Sequence, residues 1–177
     1  MKDRHASAIS SEKIILSIIG GVTLLALVVI FIFSVNESKQ GKPEVSASYK
    51  VNDENRPRVK VSSSSSDLGT MKVQDEKQAE FLLENTGNKP LDLFKISSSC
   101  DCTFGQITVN GTKSPEFGMH SKSTWSTSLE PGEKATLTVT YRPSIMPVKG
   151  PVTRDVYVQT NDPENPKLTF TVKAYVE

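Results

Sequence analysis

The chain has 177 residues, a formal net charge of +1 and two cysteines. Two cysteines are too few for a scaffold held together by disulfides, so the stability of any domain must come mainly from an apolar core. A nucleic-acid-binding protein would carry a basic stripe, but residues 57–177 hold 14 Lys/Arg against 14 Asp/Glu, so no nucleic-acid partner is expected.

One apolar segment dominates the N-terminal part of the chain. Residues 14–33 contain no charged side chain, and only Ser17 and Thr23 are polar. A helix of this length spans the roughly 30 Å hydrocarbon core of a bilayer. A cleaved signal peptide has a shorter apolar core of about 7–15 residues and a small-residue cleavage site, which is missing here. We therefore predict an uncleaved transmembrane helix over residues 14–34 that binds the lipid bilayer.

The flanks of this segment predict its orientation. Lys2, Arg4 and Lys13 precede it, whereas Lys39 and Lys42 follow it. The positive-inside rule then gives a cytoplasmic tail over residues 1–13 and an extracytoplasmic C-terminal part, in a single-pass protein of the cytoplasmic membrane. Residues 35–56 are polar and without periodicity, which predicts a flexible stalk.

Residues 57–177 show the alternation of β-strands. The clearest case is residues 133–142, where Ala135, Leu137, Val139 and Tyr141 alternate with polar residues. Residues 62–66 are predicted to be a loop leading into residues 67–70. No segment here has a helical period, so we predict an antiparallel β-sandwich. Strands are expected around residues 59–61, 79–83, 91–96, 107–109, 133–142, 152–160 and 168–176, with turns at residues 85–88, 110–111, 131–132 and 161–166.

An ordered series of short motifs resembles the bacterial domain-of-unknown-function family 1573. The resemblance covers residues 58–177 and implies an immunoglobulin-like fold, similar to the ASH, MSP and HYDIN group, in an exported or membrane-attached protein. No characterised activity comes with it. The motifs are Leu68-Gly69-Thr70, Phe81 with Glu84-Asn85-Thr86-Gly87, Pro90-Leu91, Ser99-Cys100-Asp101-Cys102-Thr103, Pro131-Gly132 and Thr160-Asn161.

The chain departs from the family pattern at two places. Asp101 stands where the family has the middle glycine of its CGC motif. The segment from Phe104 to Leu129 is also longer than expected between the cysteine motif and the Pro-Gly turn. It resembles a subfamily in which Phe117-Gly118-Met119-His120 recurs.

The Cys100-Asp101-Cys102 motif is the first candidate for chemistry. Side chains two positions apart project to the same side of a strand, so both sulfurs could bind one soft metal ion. Copper(I) is the predicted metal, with Met119, His120 and Met146 as further candidate ligands. Two alternatives stay open: structural cysteines, free or joined by a strained bridge, and a redox pair, although no basic neighbour in the sequence would activate either thiol.

Other candidate residues give weaker signals. His120 could act as a base beside Cys100, and Trp125 could be a packing residue or a binding anchor. No phosphate loop, nucleophile elbow or zinc-protease motif is present in the sequence. The sequence therefore predicts a non-enzymatic immunoglobulin-like domain that binds or scaffolds an envelope protein, with copper binding as the alternative.

Overall fold

The computed structural model describes residues 20–25, 28, 48–122 and 124–177. The chain divides into two compact units, residues 1–42 and 43–177. The described residues of the first unit are helical and exposed. Across the described stretches, no helix has the length and apolar character needed to cross a bilayer. The predicted tail over residues 1–13, most of the helix over residues 14–34 and the stalk up to residue 47 lie outside the described residues.

The second unit is an all-β sandwich of two five-stranded sheets. The first sheet has the order β1-β3-β8-β5-β6, and the second has the order β2-β10-β9-β4-β7. A 3-10 helix, Pro143–Ile145, follows β8. The strands in the described residues are β1 Val59–Val61, β2 Ser65–Met71, β3 Lys77–Asn85, β4 Leu91–Ser98, β5 Thr103–Val109, β6 Thr112–Lys113, β7 Ser126–Leu129, β8 Lys134–Tyr141, β9 Gly150–Thr160 and β10 Lys167–Val176.

The core lies between the sheets and follows the predicted alternation. Ala79, Phe81 and Leu83 on β3 face inward, while their polar neighbours face solvent. The ring of Phe81 lies 5.1 Å from that of Phe170 on β10, so the two sheets meet through aromatic contact. Each such fully buried side chain stabilises the fold by about 1.5–3 kcal/mol. The predicted strands of the sandwich core are therefore confirmed.

The structure corrects the prediction at β2 and in the strand pairing. β2 forms a strand where a loop was expected, and it pairs in parallel with β10, so the sandwich is not antiparallel throughout. Its register shifts between Asp67 and Thr70, around Gly69 with φ of +67°. β2 has no apolar alternation because it is an edge strand, and the hydrogen bonds of β10 hold it in place.

The sandwich has two ends, which lie about 26 Å apart along β3 at about 3.3 Å per residue. At the near end, Asn85 pairs with Val59, and the chain enters the domain. At the far end, Lys77 pairs with Tyr141, and Tyr141 pairs with Thr103. The β4–β5 turn and the connection from β8 to β9 therefore belong to the far end.

Arg56 fixes the chain at the near end. Its Nη1 lies 3.1 Å from Asp162 Oδ1, and both side chains are buried. Its Nη2 lies 2.7 Å from the half-exposed Glu164. Asp162 also accepts a hydrogen bond from the Val59 amide. Gly87 lies against this segment, because a Cβ there would fall 2.4 Å from the Arg56 carbonyl oxygen.

The predicted stalk ends at residue 56, and the structure shows its last residue, Arg56, in contact with the sandwich. Its ion-pair partner Asp162 lies 106 positions later in the chain. Local composition showed only a polar segment at this point and gave no sign of such a distant partner.

Candidate functional site

A tight turn at the far end joins β4 to β5 and carries both cysteines. Cys100 and Cys102 form a disulfide, with their Cα atoms 5.3 Å apart. This separation is within the usual range for disulfides, because the turn brings the two residues closer than an extended strand would. Of the alternatives left open by the sequence, the structure shows the bridged form.

The two sulfurs lie in a small second core. Cys102 is completely buried, whereas Cys100 retains 8% exposure. Burial raises the pKa of the neighbouring Tyr141 hydroxyl, although the charge of Arg154 opposes this effect, so Tyr141 is neutral at physiological pH. The core around the disulfide also contains Met71, Ala174 and Val176.

Polar groups contact both sulfurs, and the Thr103 hydroxyl lies within 3.8 Å of each. Arg154 Nε donates a hydrogen bond to Cys102 Sγ at 3.4 Å. The hydroxyl of Thr103 lies 3.4 Å from Cys100 Sγ, and the Cys102 amide donates to the same sulfur at 3.2 Å. The guanidinium of Arg154 also lies 5.8 Å from the Tyr141 ring centroid. Sequence reasoning missed Arg154, because 52 positions separate it from Cys102.

The other predicted ligands lie on loops at the same end. His120 Nε2 is 3.6 Å from Asp101 Oδ2, and both side chains are largely exposed. Met119 and Met146 are each about half exposed. Within residues 20–25, 28, 48–122 and 124–177, no group of three or more His, Cys, Asp or Glu side chains is placed to hold a metal ion. The structure thus brings His120 to the cysteine turn, and the copper site stays a prediction.

Arg142 anchors the long segment between β5 and β7. Its Nη1 and Nη2 donate to both oxygens of Glu116 at 2.8 and 3.0 Å. Its Nε donates to Glu76, and the guanidinium lies over the Phe104 ring. The hydrogen bonds from Arg142 lower the pKa of Glu116 and, with those to Glu76, raise the pKa of Arg142. This cluster attaches the loop before His120 to β8.

The two edges of the second sheet differ in accessibility. At the β2 edge, Lys77 Nζ donates to the carbonyl oxygens of Leu68 and Thr70. At the β7 edge, an open groove of about 290 Å³ runs beside Trp125, whose ring lies 5.7 Å from that of Phe117. Trp125 therefore packs partly against the core and partly lines the groove. The other lining residues are Val109, Asn110, Thr112, Lys113, Ser114, Ser126 and Thr127.

Comparison with known proteins gives one family match. The profile of the HYDIN/CFA65/VesB-like Ig-like domain matches residues 57–175. None of the curated protein sequences matches the chain.

The chain is similar to several solved structures. A protein of unknown function from Porphyromonas gingivalis has a TM-score of 0.51 and 18% identity, over 71% of this chain and 50% of that protein. The PapD-like domain 7 of human CEP192 has a TM-score of 0.44 and 19% identity, over 76% of this chain and 98% of that domain. A family 123 glycoside hydrolase from Clostridium perfringens has a TM-score of 0.48 and 11% identity, over 69% of this chain and 27% of that protein. This chain spans half the length of the P. gingivalis protein, and such identities concern the fold alone.

Proposed function

Because the chain belongs to the HYDIN/CFA65/VesB-like family of Ig-like domains, we propose that its sandwich is a binding or scaffolding module and not an enzyme. One observation carries this proposal: among the described residues, β7 at one edge of the second sheet pairs only with β4 and borders a groove, whereas Lys77 occupies two carbonyl oxygens at the other edge. An open edge offers backbone hydrogen bonds to an extended segment of another protein. The partner we propose is such a segment of an envelope protein.

The β7 edge is the proposed contact surface. Ser126 and Ser128 are exposed on β7, and Trp125 directly precedes the strand and lines the groove. A partner strand would pair with the backbone of β7, and an apolar side chain of that strand would enter the groove beside Trp125. Aromatic residues at such positions contribute a large share of binding energy.

We further propose that residues 14–34 anchor the module in the cytoplasmic membrane, with the sandwich outside. The support is the length of the uncharged segment and the charge of its flanks. The resemblance to exported bacterial proteins of family 1573 agrees with this placement.

Site-specific photo-crosslinking in intact cells tests the contact surface. A photoreactive residue at Ser126 on β7 should give a discrete protein adduct, which mass spectrometry identifies. The matched control is the same residue at Ser65 on β2, which should give none. Adding Ser128→Lys should abolish the adduct, since an inserted charge disfavours strand pairing. Equal adducts at both edges, or none at either, would contradict the proposal.

Protease digestion of spheroplasts tests the placement. The sandwich should be digested from outside while an anchored N-terminal fragment stays with the membrane after alkaline extraction. If the sandwich were digested only after lysis, the orientation would be wrong.

Copper(I) binding by Cys100 and Cys102 is the alternative function. It requires the reduced form of the bond, and the position of His120 beside the cysteine turn favours it. Titration of the reduced protein with copper(I) against a competing chelator tests this alternative. An affinity unchanged in the Cys100→Ser/Cys102→Ser double variant would exclude these ligands.

A further inference from the structure

The two cysteines of the far-end disulfide are not equally exposed. Cys102 is fully enclosed, while Cys100 keeps 8% exposure in the turn. A thiolate that breaks a disulfide must approach one sulfur directly, so access decides which sulfur is attacked. Since Cys100 is the more exposed residue, the attack is expected at its Sγ.

The sulfur that is not attacked has a cationic neighbour. When the bond breaks, negative charge develops on the leaving sulfur, which here is Cys102 Sγ. Arg154 Nε already donates a hydrogen bond to this atom at 3.4 Å, and a guanidinium stays charged at any physiological pH. Arg154 therefore lies where it stabilises the leaving thiolate.

The surroundings of the turn suit a protein donor of electrons. Three apolar side chains at the far end, Met119, Ile145 and Met146, are each about half exposed. Exposed apolar side chains at the same end of the sandwich as a reactive bond provide contact area for a protein, and flexible methionines adapt to different surfaces. A small-molecule thiol is too small to use this contact area.

From these three observations, we propose that Cys100–Cys102 is a thiol-exchange site that accepts two electrons from a protein dithiol. The first thiolate of the donor attacks Cys100 Sγ, and a mixed disulfide forms as Cys102 leaves as a thiolate beside Arg154. The second thiolate of the donor then attacks the donor's own sulfur and releases Cys100. The donor becomes a disulfide, and this chain takes up two protons from water and becomes a dithiol. The exchange is stoichiometric and goes beyond the binding function proposed above.

Reduction by a protein dithiol tests the role of Arg154. The oxidised full-length protein in detergent is mixed with reduced thioredoxin as the probe, and free thiols are counted by maleimide mass tagging over time. Arg154→Gln should slow the reduction by about tenfold or more, because the leaving thiolate loses its charged neighbour. Arg154→Lys keeps the charge and should restore most of the rate.

Lys173→Gln is the matched control for charge. Lys173 lies on β10, next to the position that pairs with Arg154, so this variant removes a neighbouring positive charge without touching the Arg154 side chain. Its reduction rate should stay within about twofold of the wild type. Equal rates for Arg154→Gln and the wild type would overturn the proposal, as would equal losses in Arg154→Gln and Lys173→Gln.

Single-cysteine variants test which sulfur is attacked. In Cys102→Ser the remaining Cys100 thiol should react with an aromatic disulfide reagent about tenfold faster than the Cys102 thiol does in Cys100→Ser, because access controls the rate. Far-UV and near-UV circular dichroism confirm that both variants are folded. A Cys102 thiol that reacts as fast as the Cys100 thiol would overturn the assignment of the attacked atom. This test does not depend on whether the Arg154 variants fold.

Discussion

The two ends of the sandwich use polar groups in opposite ways. At the near end, the buried Arg56 and Asp162 form an ion pair, and Asp162 also accepts hydrogen bonds from the amides of Val59 and Glu164. At the far end, Arg154 contacts the disulfide, Arg142 binds Glu116, and several apolar side chains remain exposed. The near end is closed by buried polar contacts, whereas the far end combines a nearly buried disulfide with exposed apolar side chains.

This difference indicates that the near end positions the chain and that the far end is available for chemistry. A buried ion pair stabilises a fold little by itself, but breaking it is costly, so it fixes one geometry. Half-exposed methionines and a nearly buried disulfide add little to the geometry of the core. The comparison can be tested by damaging one end at a time and measuring the loss of stability.

The largest expected loss follows removal of Asp162 at the near end. Asp162→Ala leaves the buried Arg56 with only the half-exposed Glu164 as a partner and removes the acceptor for the Val59 amide. We expect a decrease of about 3–5 kcal/mol in the free energy of unfolding, measured by urea denaturation. Glu164→Gln is the control, because Glu164 is half exposed and its pair should contribute less than about 1 kcal/mol. Equal losses in the two variants would remove the distinction between a closed and an open end.

A smaller loss is expected when the far-end disulfide is reduced. The bond closes a loop of only three residues, so its effect on the unfolded chain is about 1–2 kcal/mol. Thermal unfolding with and without a reductant should show a modest fall in Tm with the sandwich intact. The Cys100→Ser/Cys102→Ser variant should not respond to the reductant. Unfolding of the domain on reduction would show that the far end contributes as much to stability as the near end does.

The smallest effect concerns Glu116, whose pKa is lowered from 4.5 by hydrogen bonds from Arg142. A lowered pKa in the folded state means that the unfolded state binds the proton more tightly. The stabilisation is therefore complete above pH 4.5 and is lost as the pH falls through the lowered value. Glu116→Gln should lose less than about 1 kcal/mol at neutral pH, because the pair is largely exposed.

The stability difference between Glu116→Gln and the wild type should shrink in acid. Urea denaturation at neutral pH and at about pH 3 measures it. Glu80→Gln, an exposed position on β3, is the matched control. A difference that does not change with pH would mean that the carboxylate charge is not the source of the stabilisation.

The sequence predicted most of the sandwich because its inward positions are apolar and its outward positions are polar. Phe81 on β3 and Phe170 on β10 belong to such alternating segments, and both are buried as expected. β2, β6 and β7 were not predicted as strands. Ser65, Thr112 and Ser126 begin these strands, which are short or polar on both faces. Edge strands of this kind are stabilised by pairing with neighbouring strands, and the sequence of a single strand does not show that pairing.

The candidate site was predictable only where it is local in the chain. The spacing of Cys100 and Cys102 showed that their sulfurs could meet, and the structure places His120 near the same turn. Arg154 lies in an alternating strand on the same side as Val152 and Val156, so the pattern puts a charged residue on the apolar face without indicating its partner. Its contact with Cys102 Sγ depends on the packing of β9 against the turn, which no short-range pattern encodes.

The position of Arg56 has a mechanical consequence. Any tension on the chain N-terminal to this residue reaches the Arg56–Asp162 pair before it reaches the hydrogen bonds between β1 and β3. Asp162 lies in the loop between β9 and β10, so the load passes into the central strands of the second sheet. The three-residue β1 is thereby shielded from being peeled away. A domain attached in this way resists pulling at the point where the chain enters it.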